Sequence, residues 1–580
     1  MKIDWSESVP YNPGNPMIVQ SDKSVLLEVD NPEYNAARDA LARFAELEKS
    51  PEHIHTYRIT PLSLWNAAAS GMGADAVSEA LLRFSKFDVP ENLLTDIRDI
   101  ISRYGRVQLI KEGDDYYLIS DDATLMTEIA RHKLAKPYLA EVRAERIRID
   151  PIHRGHIKQA LIQIGYPVED LAGYVSGAHL ELALRATTRR GDDFTMRPYQ
   201  REAVAAFYAG GGAQGGSGVV VLPCGAGKTV VGIGAMAELS CATLILATGI
   251  TAVRQWISEL VDKTDIDPEL IGEYTGERKE IKPVTISTYQ TLTYRPRRED
   301  DFPHLKLFES RDWGLIIYDE VHLLPAPVFR ATADIQARRR LGLTATLVRE
   351  DGHETDVFSL IGPKRFDVPW RELEQSGWIA PAVCHEVRIP LEGPQRMDYA
   401  LADERAKFRI ASENDRKTAI VEALLRKHHG ENTLIIGQYV DQLETLAERL
   451  GLPIITGKTP NRERDALYEA YRRGEVNRLV VSKVANFSID LPEATVAVQI
   501  SGTFGSRQEE AQRLGRILRP KRGGDTAHFY TLVTRDTSEQ DFAANRQRFL
   551  TEQGYRYWIH DADEIMAYHP PSDSSAAGAP

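Results

Sequence analysis

The stretch Leu222-Pro223-Cys224-Gly225-Ala226-Gly227-Lys228-Thr229 decides the fold of the chain around it. The β-branched run Gly218-Val219-Val220-Val221 precedes it and predicts a buried strand, and the segment from Val230 to Leu239 predicts a helix. A glycine-rich turn between a strand and a helix lets backbone N–H groups and the helix N-terminus bind phosphate. We therefore interpret the stretch as a phosphate-binding loop, and a surface strand-to-helix turn is the alternative.

Four residues of this loop are candidate nucleotide ligands. Gly225 and Gly227 would let the backbone close on phosphate oxygens, Lys228 would reach the β- and γ-phosphates of ATP, and the Thr229 hydroxyl would bind Mg²⁺. Leu222 occupies the position where the general pattern G-x-x-x-x-G-K-[ST] has its first glycine. The shorter form Pro-x-Gly-x-Gly-Lys-Thr is similar to the loop of superfamily-two helicases and translocases.

The composition predicts a soluble, multidomain chain. Its 580 residues suggest roughly three to five domains. The net charge of −13 leaves no global attraction for a polyanion, so any contact with nucleic acid must come from local basic patches. Three isolated cysteines indicate a reducing cytoplasm. We expect neither secretion nor membrane insertion, because a signal-peptide core and a long apolar run are both lacking.

Two series of apolar strand patterns, each interrupted by helical stretches, follow one another along the chain. Such alternation predicts parallel sheets covered on both faces. The expected fold is α/β, with two RecA-like, doubly wound lobes. The strands predicted for the first lobe are Val219–Val221, Leu244–Leu246, Val284–Ile286, Leu315–Ile317 and Arg340–Leu343, and those for the second are Leu434–Ile436, Ile454–Ile455, Leu479–Val481, Val496–Val498 and His528–Tyr530.

A carboxylate pair, Asp319 and Glu320, ends the strand that precedes it. Ligands of doubly wound folds lie at this edge of the sheet. Asp319 would bind Mg²⁺ and Glu320 would orient the attacking water, whereas an isolated Asp-Glu pair would be a solvated acidic turn. Downstream, the turn at Gly342-Leu343-Thr344-Ala345-Thr346 carries two hydroxyls that, with His322, would relay the state of the phosphates to the other lobe.

An arginine pair in the second lobe completes the predicted hydrolytic set. Arg516 and Arg519 in Gln512-Arg513-Leu514-Gly515-Arg516-Ile517-Leu518-Arg519 stand three residues apart, so a helix directs both to one side. They would act as arginine fingers on the γ-phosphate. A helix that binds a phosphate backbone, or is simply solvated, is the alternative.

Together these motifs resemble those of the XPB/Ssl2 family of superfamily-two DNA helicases, and most closely those of its bacterial members. Further similar segments are Arg197-Pro198-Tyr199-Gln200 on the adenine side, Arg349-Glu350-Asp351, Ser482-Lys483-Val484, Asp490-Leu491-Pro492-Glu493-Ala494 and Arg507–Arg516. The chain departs from the family at Ala485-Asn486-Phe487-Ser488, where Gly-Asp-Thr-Ser is usual.

The resemblance implies ATP-driven 3′→5′ movement with Mg²⁺ and a site at a single-strand/duplex junction of DNA. It implies that Arg197, Gln200, Asp490 and Gln512 contact the nucleotide, and that the loop Arg349-Glu350-Asp351 opens the duplex. It also implies nucleotide excision repair, with a nuclease or other repair proteins as partners. The alternatives are a duplex translocase, an ATP-gated scaffold that recruits a nuclease, and an RNA substrate.

The predicted domain organisation follows from these patterns and from the resemblance. Three helical patterns and a hairpin near residues 107–119 suggest a winged helix that binds either DNA or protein. In the thumb, Arg405, Lys407, Arg409, Arg416 and Lys417 would form a basic surface, or else a solvated charged helix. The expected domains are an accessory domain at 1–136, a small α/β damage-recognition-like domain at 137–190, lobe 1 at 191–365, lobe 2 at 366–545 with a helical thumb at about 397–417, and a C-terminal extension with a disordered tail at 546–580.

Overall fold

The computed structural model divides the chain into two units, one formed by most of the chain up to Val368 and the other by the chain from Pro369 onward. No helix in the described part is long and apolar enough to cross a bilayer. The structure describes residues 11–50, 53–143, 146–212, 215–223, 225–297, 300–336, 338–345, 354–368, 373, 376, 382–482, 494–501, 526–552 and 555–567.

The N-terminal unit begins with a four-stranded sheet of order β1-β2-β4-β3 and four helices. Thr60 caps α2 by accepting a hydrogen bond from the Ser63 backbone N–H at 3.0 Å, and Pro61 is the first helical residue, a position that proline favours. Sheet and helices share one hydrophobic core. The elements are β1 Met17–Val19, β2 Ser24–Glu28, α1 Tyr34–Leu41, β3 Glu46–Lys49, β4 Ile54–Arg58, α2 Pro61–Ala69, α3 Ala74–Phe84 and α4 Glu91–Ser102.

A five-stranded sheet of order β7-β8-β6-β5-β9 follows and has a core of its own. The predicted hairpin is present as β5 and β6, but β6 pairs further with β8, so the hairpin belongs to this sheet rather than to helices α2–α4. The structure therefore does not confirm a winged helix, and the boundary predicted at 136/137 falls inside the sheet. The elements are β5 Gln108–Glu112, β6 Asp115–Ile119, α5 Ala123–Arg131, β7 Leu139–Val142, β8 Arg146–Ile149, α6 Arg154–Ile164 and β9 Glu169–Asp170.

A buried charge cluster ties α6 to β9. The Asp170 carboxylate accepts hydrogen bonds from Arg154 Nη2 at 2.8 Å and from Lys158 Nζ at 3.0 Å, and all three side chains are at most 9% exposed. Burial lowers the pKa of Lys158 to about 7 despite the neighbouring carboxylate, whereas the two cations outweigh burial and hold the pKa of Asp170 well below its usual value. The cluster thus fixes the end of the sheet to the helix.

A seven-stranded parallel sheet of order β12-β13-β11-β14-β15-β10-β16 completes this unit. Every residue of β11 and β13 is buried, as expected for inner strands of a parallel sheet that is covered on both faces. All five strands predicted for lobe 1 are confirmed. The elements are α7 Pro198–Tyr208, β10 Ser217–Val221, α8 Lys228–Leu239, β11 Thr243–Ala247, α9 Ile250–Lys263, β12 Ile271–Tyr274, β13 Val284–Thr288, α10 Tyr289–Leu292, β14 Leu315–Asp319, α11 Ala326–Asp334, β15 Arg339–Thr344 and β16 Lys364–Asp367.

The second unit contains another seven-stranded parallel sheet, of order β19-β20-β18-β21-β22-β17-β23. The five strands predicted for lobe 2 are confirmed, while β17 and β23 were not expected. The elements are β17 Ala382–Ile389, α12 Gly393–Leu401, α13 Glu404–Ser412, α14 Arg416–Lys427, β18 Thr433–Gly437, α15 Val440–Leu450, β19 Ile454–Ile455, α16 Asn461–Arg472, β20 Arg478–Ser482, β21 Val496–Gln499, β22 Ala527–Thr534, α17 Ser538–Glu552, β23 Arg556–Asp561 and α18 Ala562–Met566.

The segment predicted as the thumb is helical, as α12 and α13. The predicted basic surface is wrong for one of its residues, Lys417. Lys417 lies at the start of α14 and is fully buried, with its Nζ 2.8 Å from a carboxylate oxygen of Glu539. Lys407 and Arg409 are exposed in part and paired with Glu404 and Glu413. Acidic neighbours therefore offset much of the positive charge that the sequence suggested.

A row of histidines crosses β17, β22 and β23 in the second unit. The two ring nitrogens of His385 lie 3.0 Å from His560 Nε2 and 3.1 Å from His528 Nδ1, and the ring stacks on Tyr530 at 4.4 Å. Burial, reinforced by the neighbouring histidines and Lys427, lowers the pKa of His385 to about 3. His385, at the centre of the row, is therefore packed in its neutral form.

We expect the second unit to lose stability in mild acid, because its folded state favours the neutral form of His385. Its ordinary pKa in the unfolded chain is near 6.5, so its contribution is complete above that pH and is lost as the pH falls toward 3. The loss in that interval is roughly 1–2 kcal/mol for each pH unit, which amounts to about 3 kcal/mol at pH 4.5. Urea unfolding at pH 7.5 and 4.5 measures the loss.

The variant His385→Gln should show a correspondingly smaller difference between the two pH values. His53→Gln is the matched control, because the His53 side chain is 75% exposed. The charged groups near the row are Lys427, Glu431 beside His428, and Glu564 beside His560. An unchanged acid sensitivity in His385→Gln would show that these other groups carry it.

Candidate active site

The predicted phosphate loop lies between β10 and α8, at the carboxyl end of the first unit's parallel sheet. Gly225 and Gly227 both have φ of +82°, a region that glycine reaches without strain, and α8 starts at Lys228. Leu222 is fully buried, and its N–H donates to the Thr344 carbonyl at 2.9 Å. This position has an ordinary negative φ, so the missing first glycine does not distort the loop.

The segment Arg197-Pro198-Tyr199-Gln200 opens α7 and places a buried amide against the loop. Arg197 N–H donates to Gln200 Oε1 at 2.9 Å, and its guanidinium donates to the Tyr199 hydroxyl at 3.0 Å. A Cβ at Gly227 would lie only 2.5 Å from Gln200 Nε2. The backbone conformation therefore favours glycine at 227, and a larger residue there would also displace the terminal amide of Gln200.

The carboxylate pair ends β14 beside this loop. Glu320 Oε1 accepts a hydrogen bond from Lys228 Nζ at 2.7 Å, and the two side chains are 12% and 13% exposed. Burial acts to raise the pKa of Glu320, but Lys228 and then His322 outweigh it and hold that pKa below its usual value. Glu320 is thus an ionised carboxylate beside the Lys228 ammonium.

Glu320 also has a strained backbone, with φ of +50° in a non-glycine residue. Such a conformation costs of order 1–3 kcal/mol and persists only where the surroundings enforce it. His322, two residues later, places Nδ1 2.8 Å from Thr344 Oγ1 and 3.6 Å from the Glu320 carboxylate. The turn therefore connects the carboxylate to the hydroxyl at the end of β15.

Asp319 is held by two residues that the sequence did not indicate. Trp256 Nε1 donates to Asp319 Oδ2 at 2.9 Å, and the Tyr289 hydroxyl donates to the Asp319 carbonyl at 2.8 Å. Burial, reinforced by the negative charge of Glu320, raises the pKa of Asp319 to about 6. The contacts join α9 and α10 to β14, so only the folded sheet shows them.

The donor set around Asp319 fits a magnesium ion. A buried carboxylate with a raised pKa is stabilised as the anion by a divalent cation. Within the described ranges, no cluster of three or more histidine, cysteine or acidic side chains could hold a metal ion. Magnesium usually needs only one or two carboxylates, with water and phosphate oxygens completing its shell. The Asp319 carboxylate and the Thr229 hydroxyl offer oxygen atoms of this kind.

Several predicted site residues lie outside the described part of the chain, and their assignments remain predictions. The structure brings together Gln200, Gly227, Lys228, Glu320, His322 and Thr344 through the contacts above. The residues it does not describe are Thr346, Arg349, Glu350, Asp351, Asp490, Gln512, Arg516 and Arg519.

Two parallel sheets of seven strands each, one of them with a phosphate loop and a carboxylate pair at its edge, define a class of protein. That class is the phosphate-loop ATPase built from two α/β sheets.

Comparison with known proteins gives the family. The chain is 58% identical to the "DNA 3'-5' helicase XPB" of Mycobacterium tuberculosis, over 95% of this chain and 98% of that protein. The protein of the same name from Kineococcus radiotolerans is 55% identical, over 97% of this chain and 99% of that protein. The chain belongs to the XPB family of DNA 3′–5′ helicases. The predicted family, the helicase class and the DNA-dependent ATPase are thereby confirmed.

More distant relatives and family models agree. The "General transcription and DNA repair factor IIH helicase/translocase subunit XPB/SSL2" of Saccharomyces cerevisiae is 32% identical over 96% of this chain and 74% of that protein. Residues 373–572 match the model of the ERCC3/RAD25/XPB C-terminal helicase, and residues 193–349 match that of the type III restriction enzyme res subunit. Residues 17–144 match a helicase conserved C-terminal domain. Family membership implies use of ATP and binding of DNA.

Proposed function

We propose that the chain couples ATP hydrolysis to 3′→5′ movement along one DNA strand and to separation of the duplex ahead of it. The observation that supports the hydrolytic part best is the 2.7 Å contact between Lys228 and Glu320. It supports an arrangement in which the cation that would bind phosphate and the carboxylate that would orient water belong to one small site. Membership of the XPB family supports the direction and the DNA substrate.

Hydrolysis would use groups at fixed positions on the first unit. Backbone N–H groups of the loop and the Lys228 ammonium would bind the phosphates, and Glu320 would orient the attacking water. Asp319 and Thr229 would hold Mg²⁺, which supplies positive charge beside the β- and γ-phosphates when bound. The raised pKa of Asp319 and its oxygen chemistry support this assignment.

The second unit would contribute groups known only from the sequence. Arg516 and Arg519 would stabilise charge on the γ-phosphate in the transition state, an effect of about 10³ to 10⁵ in rate for arginine fingers. Asp490 and Gln512 would contact the nucleotide. This assignment rests on the resemblance of their segments to the family's motifs.

His322 and Thr344 would couple the site to movement. Their 2.8 Å contact joins the turn after Glu320 to the end of β15, which leads toward Thr346 and the loop Arg349-Glu350-Asp351. A change at the phosphates that displaces Glu320 would therefore reach the segment proposed to open DNA.

The biological setting we propose is nucleotide excision repair in the cytoplasm, with a nuclease or other repair protein as partner. The names of the eukaryotic relatives include DNA repair, which supports a repair role for this chain by analogy. The cytoplasmic location remains a prediction from the isolated cysteines, of which Cys241 and Cys384 are buried.

A duplex translocase is the second candidate. The eukaryotic relatives of this chain, which are subunits of a general transcription and DNA repair factor, are named "helicase/translocase". Displacement of a labelled strand from a duplex with a 3′ tail separates the two activities. A helicase releases the strand in the presence of ATP, and a duplex with a 5′ tail should stay intact. Hydrolysis stimulated by DNA without release of any strand would favour the translocase.

In the same assay, Arg349→Ala should reduce strand release by at least about 10-fold while DNA-stimulated hydrolysis stays within about twofold. The reason is that the Arg-Glu-Asp loop is assigned to the duplex rather than to the nucleotide. Arg330→Ala, an exposed arginine on α11, is the matched control and should change neither rate. Equal loss of hydrolysis and release in Arg349→Ala would place the loop in the hydrolytic site.

A further inference from the structure

Trp256 on α9 is a buried residue whose indole N–H forms a hydrogen bond with Asp319, a residue of the candidate nucleotide site. Its side chain is among the largest fully buried ones, with 1% exposure. The indole N–H donates to Asp319 Oδ2 at 2.9 Å. Trp256 therefore contacts the carboxylate that we assign to the metal ion without lying at the phosphates itself.

The same ring packs against the helix that follows the phosphate loop. A Cβ added to Gly232 would lie 2.5 Å from Cη2 and 3.2 Å from Cζ3 of Trp256. Gly232 is three residues after Thr229, so it lies one turn further along α8. The ring thus fills the space between the first turns of α8 and the end of β14.

Asp319 is restrained from a second direction. The Tyr289 hydroxyl donates to the Asp319 backbone carbonyl at 2.8 Å, while Trp256 binds the side chain. Backbone and carboxylate are therefore held by different elements, α10 and α9. The carboxylate has little freedom to rotate away from α8.

The chemistry of indole suits this position. A tryptophan N–H donates one hydrogen bond and carries no charge, so it orients a carboxylate without neutralising it. A lysine or arginine in the same place would form an ion pair and compete with a cation. Asp319 therefore keeps the negative charge that attracts a metal.

We propose that Trp256 is a positioning residue that holds the Asp319 carboxylate in place beside α8, the helix that carries the Thr229 hydroxyl, for a divalent cation bound with the nucleotide. The proposal rests on the proposed function, which assigns the cation to these two side chains. Magnesium demands nearly ideal octahedral geometry, so small displacements of one oxygen weaken binding. Residues that orient metal ligands typically contribute about 10- to 100-fold in metal affinity.

The test compares nucleotide binding with and without a divalent cation in the full-length chain. A fluorescent ATP analogue is titrated in Mg²⁺ and in EDTA, and Mn²⁺ bound to the complex is counted by electron paramagnetic resonance. In Trp256→Phe, we expect affinity in EDTA to stay within about twofold and the affinity for Mn²⁺ to fall by about 10- to 100-fold. A uniform loss of nucleotide affinity in both conditions would overturn the positioning role.

Trp313→Phe is the matched control. Trp313 is also fully buried in the first unit, and its indole N–H donates to the Leu307 carbonyl at 2.9 Å, away from Asp319. It should lose stability as Trp256→Phe does, but keep its metal dependence. A loss of Mn²⁺ affinity in this control would show that burial, rather than the contact with Asp319, is responsible.

Asp319→Asn tests the metal site separately from the positioning role of Trp256. If it leaves metal-dependent binding intact, the proposed metal site is wrong. If it removes that dependence while folded Trp256→Phe retains it, the metal site stands and the positioning role is wrong.

Thermal unfolding checks that each variant is folded. If Trp256→Phe does not fold, Gly232→Ala provides the same test, because its methyl group displaces the Trp256 ring. Full metal affinity in folded Gly232→Ala also overturns the proposal.

Discussion

Lys228→Ala is expected to abolish DNA-stimulated ATP hydrolysis and to weaken nucleotide binding. The Lys228 ammonium is 13% exposed and 2.7 Å from Glu320, so its removal takes a positive charge from the phosphates and from the buried carboxylate together. Loss of one preorganised donor to developing charge costs about 10² to 10³ in rate. Phosphate release in the presence of DNA measures the first effect, and titration with a fluorescent ATP analogue measures the second.

Lys263→Ala is the matched control for this experiment. Lys263 forms an ion pair with Glu259 at 2.7 Å on α9 and is 18% exposed, so the two lysines are similar in burial and pairing. Its replacement should leave hydrolysis within about twofold of the unchanged protein. Retained turnover in Lys228→Ala would overturn the assignment of the phosphate loop.

Glu320→Gln is expected to lower turnover by about 10² to 10⁴ while nucleotide binding is retained. The amide keeps the size of the side chain and can still accept a hydrogen bond from Lys228, but it cannot polarise the attacking water as an ionised carboxylate does. The pKa of Glu320 is held low by Lys228 and His322 against the effect of burial, so the native side chain is charged at neutral pH.

The combination of results distinguishes Glu320 from Lys228. The glutamate variant should lose turnover alone, whereas the lysine variant should lose both turnover and affinity. Glu259→Gln removes the acidic half of the control ion pair and should change neither quantity. Normal turnover in Glu320→Gln would require a different residue to orient the water, and Asp319 would then be the next to replace.

Sequence patterns predict the two parallel sheets well, because their strands are buried on both faces. β11, β13 and β18 consist entirely of buried residues, and β11 and β18 contain the apolar runs Leu244-Ile245-Leu246 and Leu434-Ile435-Ile436. Edge strands are harder to predict. All four residues of β16, Lys-Arg-Phe-Asp, are partly exposed, so its sequence lacks the apolar run on which prediction depends.

The N-terminal region shows why element order does not determine domain organisation. Three helices followed by a hairpin are present in the predicted order, but the hairpin pairs with β8 and β9, which come later in the chain. Local periodicity contains no information about such pairing. The same limit applies to Lys417, whose burial depends on Glu539, 122 residues away.

The site could be predicted where its residues form compact motifs with their own backbone requirements. Lys228 and Glu320 belong to segments whose chemistry is recognisable from a few neighbouring residues. Trp256 and Tyr289 do not, because their contacts with Asp319 join separate helices to a strand. A tryptophan on an amphipathic helix is ordinarily a core residue, and only its hydrogen bond distinguishes this one.

The cluster around Asp170 also limits how this sequence can diverge. Replacing the aspartate alone would leave the cations of Arg154 and Lys158 uncompensated inside the protein, at a cost of about 3–5 kcal/mol for a broken buried pair. Joint replacement by apolar residues of similar volume avoids that penalty. In related chains the three positions should therefore vary as a set, and substitution of one member without the others should be rare.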